Sequence, residues 1–286
     1  MTATVLVIGG GGQLGAPVVR RLLEDGFRVR VLVRANSPAR ADGPEEVLGD
    51  VDDIDSLRRA ITGCDAVHIS LRGGPGDADY ERVEHRGTAR VADVAAESGR
   101  RVRLSYVSHM LAAPDSRSAS LRAKWSAEHA IAASGVPYTI FRPTYFMETL
   151  PRHIRGRTAT VLGHQRHRFH MLAAEDFAAM VSRALSTDRA VNQTLTVYGP
   201  EAYTIPAALR IYCDVCAPGV AVASRPLWLM AALDRTVLRG GLGDTIPLMH
   251  TLQELGEQGD PREAVRLLGP ATTNLADWCS RQRQPE

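Results

Sequence analysis

Lys124 is the chain's one lysine: the other 33 of its 34 basic residues are arginine. Arginine keeps its charge and its planar fork, whereas lysine is a compact donor whose proton affinity responds to burial. A single lysine in an arginine-rich chain points either to a task that arginine does not perform or to chance survival at an exposed site. It lies in SLRAKWSAEHAIAASG, four residues after Ser120, and that spacing places both side chains on one face of a helix. A second group stands near the N-terminus, where VLVIGGGGQLGAPVVRRLLEDG carries glycines at 9, 10, 11, 12 and 15. They fit G-x-x-G-x-x-G through Gly9, Gly12 and Gly15, and G-x-G-x-x-G through Gly10, Gly12 and Gly15. The loop leaves an apolar strand pattern and opens a helix pattern. Glycine allows a tight turn and a close approach of backbone N–H groups to a pyrophosphate, and the helix N-terminus adds partial positive charge. Gly9, Gly12, Gln13, Leu14 and Gly15 are the candidates for that cradle.

The end of the second strand selects the cofactor. A dinucleotide site for NAD places an acid there to bind the ribose 2′-OH, while a nearby Arg accommodates a 2′-phosphate. RVRVLVR ends in Arg34, with Ala35, Asn36, Ser37 and Arg40 following and no acid at the strand end. The reading is NADP(H), against the alternative that Arg34 is an ordinary surface cation.

The elements that position these residues alternate in βαβ fashion. Strands are predicted at 4–8, 28–33, 45–48, 66–70, 103–107 and 138–142, with helices at 13–25, 53–62, 78–98 and 120–134. After Pro143 come short strands at 159–162 and 168–172, a helix at 174–186 and a strand at 193–197. The chain from Thr204 onward reads as mostly helical, over 226–239, 245–257, 261–268 and 272–281. The expected fold is α/β, a Rossmann doubly wound parallel sheet with a smaller, mostly helical C-terminal substrate lobe. Residues 1–150 form the nucleotide-binding core and 151–286 the lobe, with 174–197 returning to the sheet. The substrate cleft belongs outside the carboxyl ends of the strands, at the switch point.

Composition narrows the partners. The chain has 286 residues, 44% hydrophobic and 23% charged, an ordinary globular balance. Only 5% of residues are aromatic and the net charge is +2, which argues against a nucleic-acid partner. No apolar run approaches a membrane span, and four cysteines are too few for a disulfide framework at this size. A cytoplasmic protein with a small-molecule substrate, with a homodimer as an option, is the expectation. Cys213 and Cys216 form a lone C-x-x-C read as buried helical cysteines, and His164, His167 and His170, interleaved with Arg166 and Arg168, read as a basic strand rather than a metal cage. Trp228, Met230, Leu233 and Val237 carry the spacing of a core or an interface.

Four segments together resemble the NmrA-like branch of the atypical short-chain dehydrogenase/reductases: Gly9–Gly15, Val31–Arg34, Leu48-Gly49-Asp50 with Cys64-Asp65-Ala66-Val67, and SGVPYTIFRP at 134–143. The resemblance covers about the first 200 residues and fades over the C-terminal helices. It implies that Asp50 and Val51 lie along the adenine, that Ser70, Leu71 and Arg72 follow the fourth strand beside the cofactor, and that the stretch from Phe141 to Phe146, with Pro143, Thr144 and Tyr145, reaches the nicotinamide. It implies for Lys124 a hold on the nicotinamide ribose or a part in proton transfer.

The better-known branch of that superfamily uses Tyr-x-x-x-Lys, and here Ser120 stands in the tyrosine's place. A serine hydroxyl is far too weak an acid to replace it unaided. Ser108 and His109 end the fifth strand, in the region where the resemblance puts a serine near the substrate. His109 is either a near-neutral proton donor or a loop histidine in solvent, and Tyr145 either lines the site or packs. Quinone acceptors take their proton from water, so a missing protein acid is no bar to reduction. The resulting expectation is an NADPH-dependent reductase acting on a small apolar, aromatic or quinone-like acceptor. Its alternatives are a non-catalytic NADP(H) sensor of NmrA type with a protein partner, and an epimerase or dehydratase with tightly held NAD, which Arg34 and the absent tyrosine disfavour.

Overall fold

The computed structural model describes residues 2–35, 43–74, 76–237 and 240–283. The expected positions Asn36, Ser37 and Arg40 lie outside the described residues. β1 (Thr4–Ile8) is buried along its whole length and apolar on both faces from Val5 on, the signature of a central parallel strand. It is followed by α1 (Gly15–Glu24), β2 (Arg28–Val33), β3 (Glu45–Leu48), α2 (Ile54–Ile61) and β4 (Ala66–Ile69). A short helix α3 (Asp77–Asp79) runs into a π-helical turn at Tyr80–Arg86 and on into α4 (Gly87–Glu97). Then come β5 (Arg103–Val107), α5 (Ala119–Ala133), β6 (Tyr138–Pro143) and β7 (Tyr145–Phe146), and a 3-10 helix at Met147–His153. β8 (Ile154–Arg155), β9 (Thr158–Leu162), β10 (Arg168–Leu172), α6 (Ala174–Leu185), β11 (Gln193–Val197) and β12 (Ala202–Thr204) follow. The chain closes with α7 (Ile205–Cys216), β13 (Ala221–Arg225), α8 (Leu227–Thr236), α9 (Thr245–Leu255), α10 (Arg262–Leu268) and α11 (Leu275–Gln282).

The central sheet has seven strands in the order β11-β6-β5-β4-β1-β2-β3, and every pairing is parallel. The order reverses between β1 and β4, so the loops leaving these strands diverge and open a crevice at their carboxyl ends. One face buries Val18, Leu22, Phe177 and Val181 of α1 and α6 against the sheet. The other buries Leu57, Val91, Ala95, Ala127 and Ile131 of α2, α4 and α5. A third cluster joins Met147, Leu150, Phe169, Leu209, Leu252 and Trp278 around two small sheets, β12-β10-β7 and β13-β9-β8.

Several expectations are corrected. The first helix begins at Gly15 rather than residue 13, because Gly12 N–H bonds the Gly9 carbonyl in a turn before the helix opens. The helix expected over 78–98 contains the π-helical turn, which periodicity alone does not distinguish from α. AVASR, inside the region read as helical, is a strand, and its partner β9 lies far away in sequence. Of the core or interface reading for Trp228, Leu233 and Val237, the core arm is overturned: Trp228 is 73% exposed and α8 has no buried residue. Phe141 and Phe146, the two ends of the stretch that the resemblance brings to the nicotinamide, turn their rings into the core. Both rings pack edge-on against Phe177, with centroids 5.4 and 5.5 Å away, in the core beneath α6.

Candidate active site

The glycine loop is shaped by contacts that exclude side chains. Gly9 has φ +83°, and a Cβ there would stand 2.2 Å from the Ser70 carbonyl oxygen; one at Gly15 would stand 2.2 Å from the Gly9 oxygen. Gly9 thus packs the loop onto the end of β4, and Gly15 packs the start of α1 onto the loop. Gly12 differs. A Cβ there would meet only the Gly9 oxygen, at 3.2 Å, so its side of the turn is open to a ligand. A backbone cradle closed by protein on one side and open on the other fits a pyrophosphate at the N-terminus of α1. Gln13 closes the far end by donating its side-chain amide to the Glu148 carbonyl, which anchors the 3-10 helix beside the loop. Leu14 sits at the N-cap of α1, half-buried against the core.

Arg34 follows β2 and is exposed. Asp50 turns back on itself, its Oδ1 accepting the Asp52 N–H at 3.0 Å, and its backbone is fixed by Ser56 Oγ at 3.1 Å. Val51 is buried against Gly87, where a Cβ would come within 2.9 Å of a Val51 methyl and 3.6 Å of Leu71. Ser70 and Leu71 are half-buried at the end of β4 and Arg72 is exposed. Arg72 lies beside Tyr80, whose phenol is pushed up by burial first and by the charge of Asp244 second.

Lys124 is the most constrained of the predicted residues. Its Nζ donates to the Val107 carbonyl at 3.1 Å, at the carboxyl end of β5, and lies 3.1 Å from Glu84 Oε2. Glu84 is 2% exposed, on the π-helical turn, and its other oxygen accepts the Gly73 N–H at 2.8 Å. Nζ also sits 5.6 Å from the centre of the Tyr106 ring. Sequence reasoning missed Glu84. The pairing joins residues 40 apart, and the sequence offers no signal beyond an unremarkable glutamate in a helix.

Ser120 shares Lys124's face of α5, but its hydroxyl donates to Asp244 at 2.6 Å. The same carboxylate accepts Ser118 Oγ at 2.6 Å and the Ala119 N–H at 2.7 Å, so Asp244 caps α5 from the C-terminal region.

The remaining candidates occupy other settings than the sequence suggests. Ser108 is buried and its hydroxyl donates a hydrogen bond to Glu128, which also holds Arg142 in a two-pronged ion pair with contacts of 2.9 and 2.5 Å. Its hydroxyl is therefore committed to a structural pair. His109 accepts the Leu111 N–H on Nδ1 at 3.0 Å, which puts the proton on Nε2. Burial and then the charge of Lys124 push its pKa down to about 3, so the ring is neutral at pH 7 and the expected near-neutral imidazolium donor is not there. What it offers is an Nε2–H hydrogen bond. Tyr145 packs in the C-terminal cluster with its phenol on His153 Nε2 at 2.8 Å. Because His153 Nδ1 donates to the Thr160 carbonyl at 2.9 Å, Nε2 must accept and Tyr145 must donate. Burial pushes this phenol up to about 12, making it packing rather than an acid. The carbonyl of Pro143 accepts the Met110 N–H at 3.3 Å, and buried Thr144 gives its hydroxyl to Glu257 at 2.6 Å.

Outside the crevice, Cys213 and Cys216 lie on α7 as free thiols, Cys213 buried and Cys216 half-buried. His170 pairs with Glu257 at 2.6 Å and stacks on Tyr198. Among the described residues, no helix is long and apolar enough to cross a membrane.

A Rossmann sheet with a glycine cradle at its switch point defines a nucleotide-binding protein. The chain belongs to the NAD(P)H-binding family, whose model matches residues 9–188. It is 33% identical over 207 residues to the (4-alkanoyl-5-oxo-2,5-dihydrofuran-3-yl)methyl phosphate reductase of Streptomyces griseus, covering 70% of this chain and 69% of that one. It is 31% identical over 227 residues to the chloroplastic divinyl chlorophyllide a 8-vinyl-reductase of Oryza sativa, covering 69% of this chain and 54% of the relative. The chain thus spans only about half the length of that relative. Its fold matches that of the NADPH-dependent quinone oxidoreductase of Escherichia coli in complex with NADPH. The TM-score is 0.76 at 21% identity, over 97% of this chain and 99% of that one.

Proposed function

We propose that the protein is an NADPH-dependent reductase that delivers hydride to a small apolar acceptor of aromatic or quinone type. The observation that carries this reading is Lys124, held by Val107 and Glu84 at the carboxyl end of β5, at the crevice that the glycine loop borders. When bound, the reduced nicotinamide supplies the hydride. The chain's own work is placement. The turn at Gly12 and the N-terminus of α1 take the pyrophosphate, Val51 and Leu71 flank the adenine, and Lys124 donates to the nicotinamide ribose. Arg34, at a strand end with no acid, favours the 2′-phosphate of NADPH. The names of the relatives support a reductase and differ in acceptor.

Proton supply favours acceptors that need no strong protein acid. His109 is neutral, Tyr145 donates to His153, Ser108 to Glu128 and Ser120 to Asp244. A quinone that accepts hydride becomes a hydroquinone anion and takes its proton from water, with the His109 Nε2–H available to hydrogen-bond its oxygen.

The test is NADPH oxidation, followed by absorbance, against a panel of quinones, dyes, butenolide esters and aromatic ketones. Turnover with a quinone, a dye or an aromatic ketone is the expected result. Tight NADPH binding with no turnover across the panel overturns it. The commitment of all three hydroxyls to structural partners then speaks for a cofactor sensor, and the search moves to a protein partner.

A further inference from the structure

We infer that Glu84 is a positioning residue that sets two walls of the cofactor site with one carboxylate. The inference rests on the cofactor reading above and names a residue that no sequence motif singles out. One oxygen accepts the Gly73 N–H at 2.8 Å, fixing the segment that continues Ser70, Leu71 and Arg72 out of β4. The other lies 3.1 Å from Lys124 Nζ on α5. The loop after β4 and the lysine on α5 belong to different βα units, and Glu84 ties both to the same point.

The backbone is built to reach that point. Glu84 lies in a π-helical turn, Tyr80–Arg86, between α3 and α4. The wider turn changes the angular position of every residue after it relative to a continuous α-helix, and such turns are found mostly where function holds them. On the far side, Gly87 packs against Val51 and Leu71, the proposed adenine wall, so the register of the turn is fixed from both ends.

The chemistry of the pair is specific. The Glu84–Lys124 approach is a charge contact rather than an aligned hydrogen bond, since Oε2 has no geometrically satisfied donor. The aligned N–H of Lys124 goes to Val107. An ammonium carries three protons. With one on Val107 and the carboxylate drawing the group from the side, a further donor remains for a ribose hydroxyl. An amide at position 84 keeps a hydrogen bond to Gly73 and loses the charge that draws Nζ. An aspartate is one methylene too short to span both partners.

The experiment measures cofactor binding rather than turnover, by tryptophan fluorescence or calorimetry, for the full chain and for Glu84→Gln. Two probes are used: NADPH, and adenosine 2′,5′-bisphosphate, which carries the adenine half and lacks the nicotinamide ribose. The expected result is a loss of about tenfold in NADPH affinity, with affinity for the adenine-half probe held within about twofold. Unchanged NADPH affinity in Glu84→Gln overturns the assignment, as does an equal loss for both probes, which is the mark of general unfolding. Should Glu84→Gln not fold, Glu84→Gln with Lys124→Met, which buries no lone charge, takes its place and is compared with Lys124→Met. The charge arm of the assignment fails if the double variant binds NADPH more weakly still, because Glu84 then acts on binding by a route other than its charge on Lys124. If the unmodified chain binds neither probe, the cofactor reading itself fails, an outcome distinct from each of these.

Discussion

Lys124 and Glu84 form an ion pair of 3.1 Å in which the carboxylate is 2% exposed and the lysine side chain 16%. Breaking such a pair from one side strands a charge where water does not reach it, which costs far more than the pair contributes while intact. Lys124→Met therefore loses stability, by roughly 3 kcal/mol, and Glu84→Gln on top of it restores most of that loss. Urea denaturation of the two variants checks this. The same pair of variants separates a lysine needed for binding from one needed for folding.

The glycines divide by what a methyl would meet. Gly9→Ala strains a φ of +83° and drives a Cβ into the Ser70 carbonyl, so it destabilises the fold by about 2 kcal/mol or more. Gly12→Ala meets only the Gly9 oxygen at 3.2 Å, so it folds nearly as the parent and loses NADPH affinity instead. Melting temperature and NADPH affinity, measured on both variants, should rank them in opposite orders.

Arg34 stands exposed at the end of β2. If it meets the 2′-phosphate, Arg34→Ala weakens NADPH by about tenfold or more and leaves NADH within about twofold, because only one of the two carries that group. Equal losses for both cofactors place the residue elsewhere.

His68 is fully buried on β4, its Nδ1 2.9 Å from Ser105 Oγ, and burial pushes its pKa down to about 3. The folded value lies below the unfolded one near 6.5, so the unfolded chain takes up the proton first as pH falls. The stability linked to this residue is whole above about pH 6.5 and is lost progressively down to about pH 3, up to roughly 5 kcal/mol. His68→Asn flattens the dependence of unfolding free energy on pH between 7 and 4, read by urea titration at each pH. His109, also pushed down to about 3, does not titrate between pH 5 and 8, so NADPH oxidation shows no ionisation from it in that range.

Much of the sheet and the cofactor cradle is legible in the residues themselves. β1, β2, β3, β5, β10 and β11 fall where alternation and apolar runs place them, because strand pattern and glycine spacing are local properties. Lys124 is visible for the same kind of reason: its rarity is a count, and its distance from Ser120 is a helical period. Its partner is not. Whether an ammonium finds a carboxylate depends on a π-helical turn 40 residues earlier, and the π and α periods cannot be told apart over one turn. The hydroxyls follow the same division. Sequence shows that Ser108, Ser120 and Tyr145 stand near strand or helix ends, but Glu128, Asp244 and His153 decide where their protons go. Those partners arrive through tertiary packing, Asp244 from more than a hundred residues away. A hydrogen bond is settled by which acceptor lies within about 3 Å, and that distance exists only once the chain has folded.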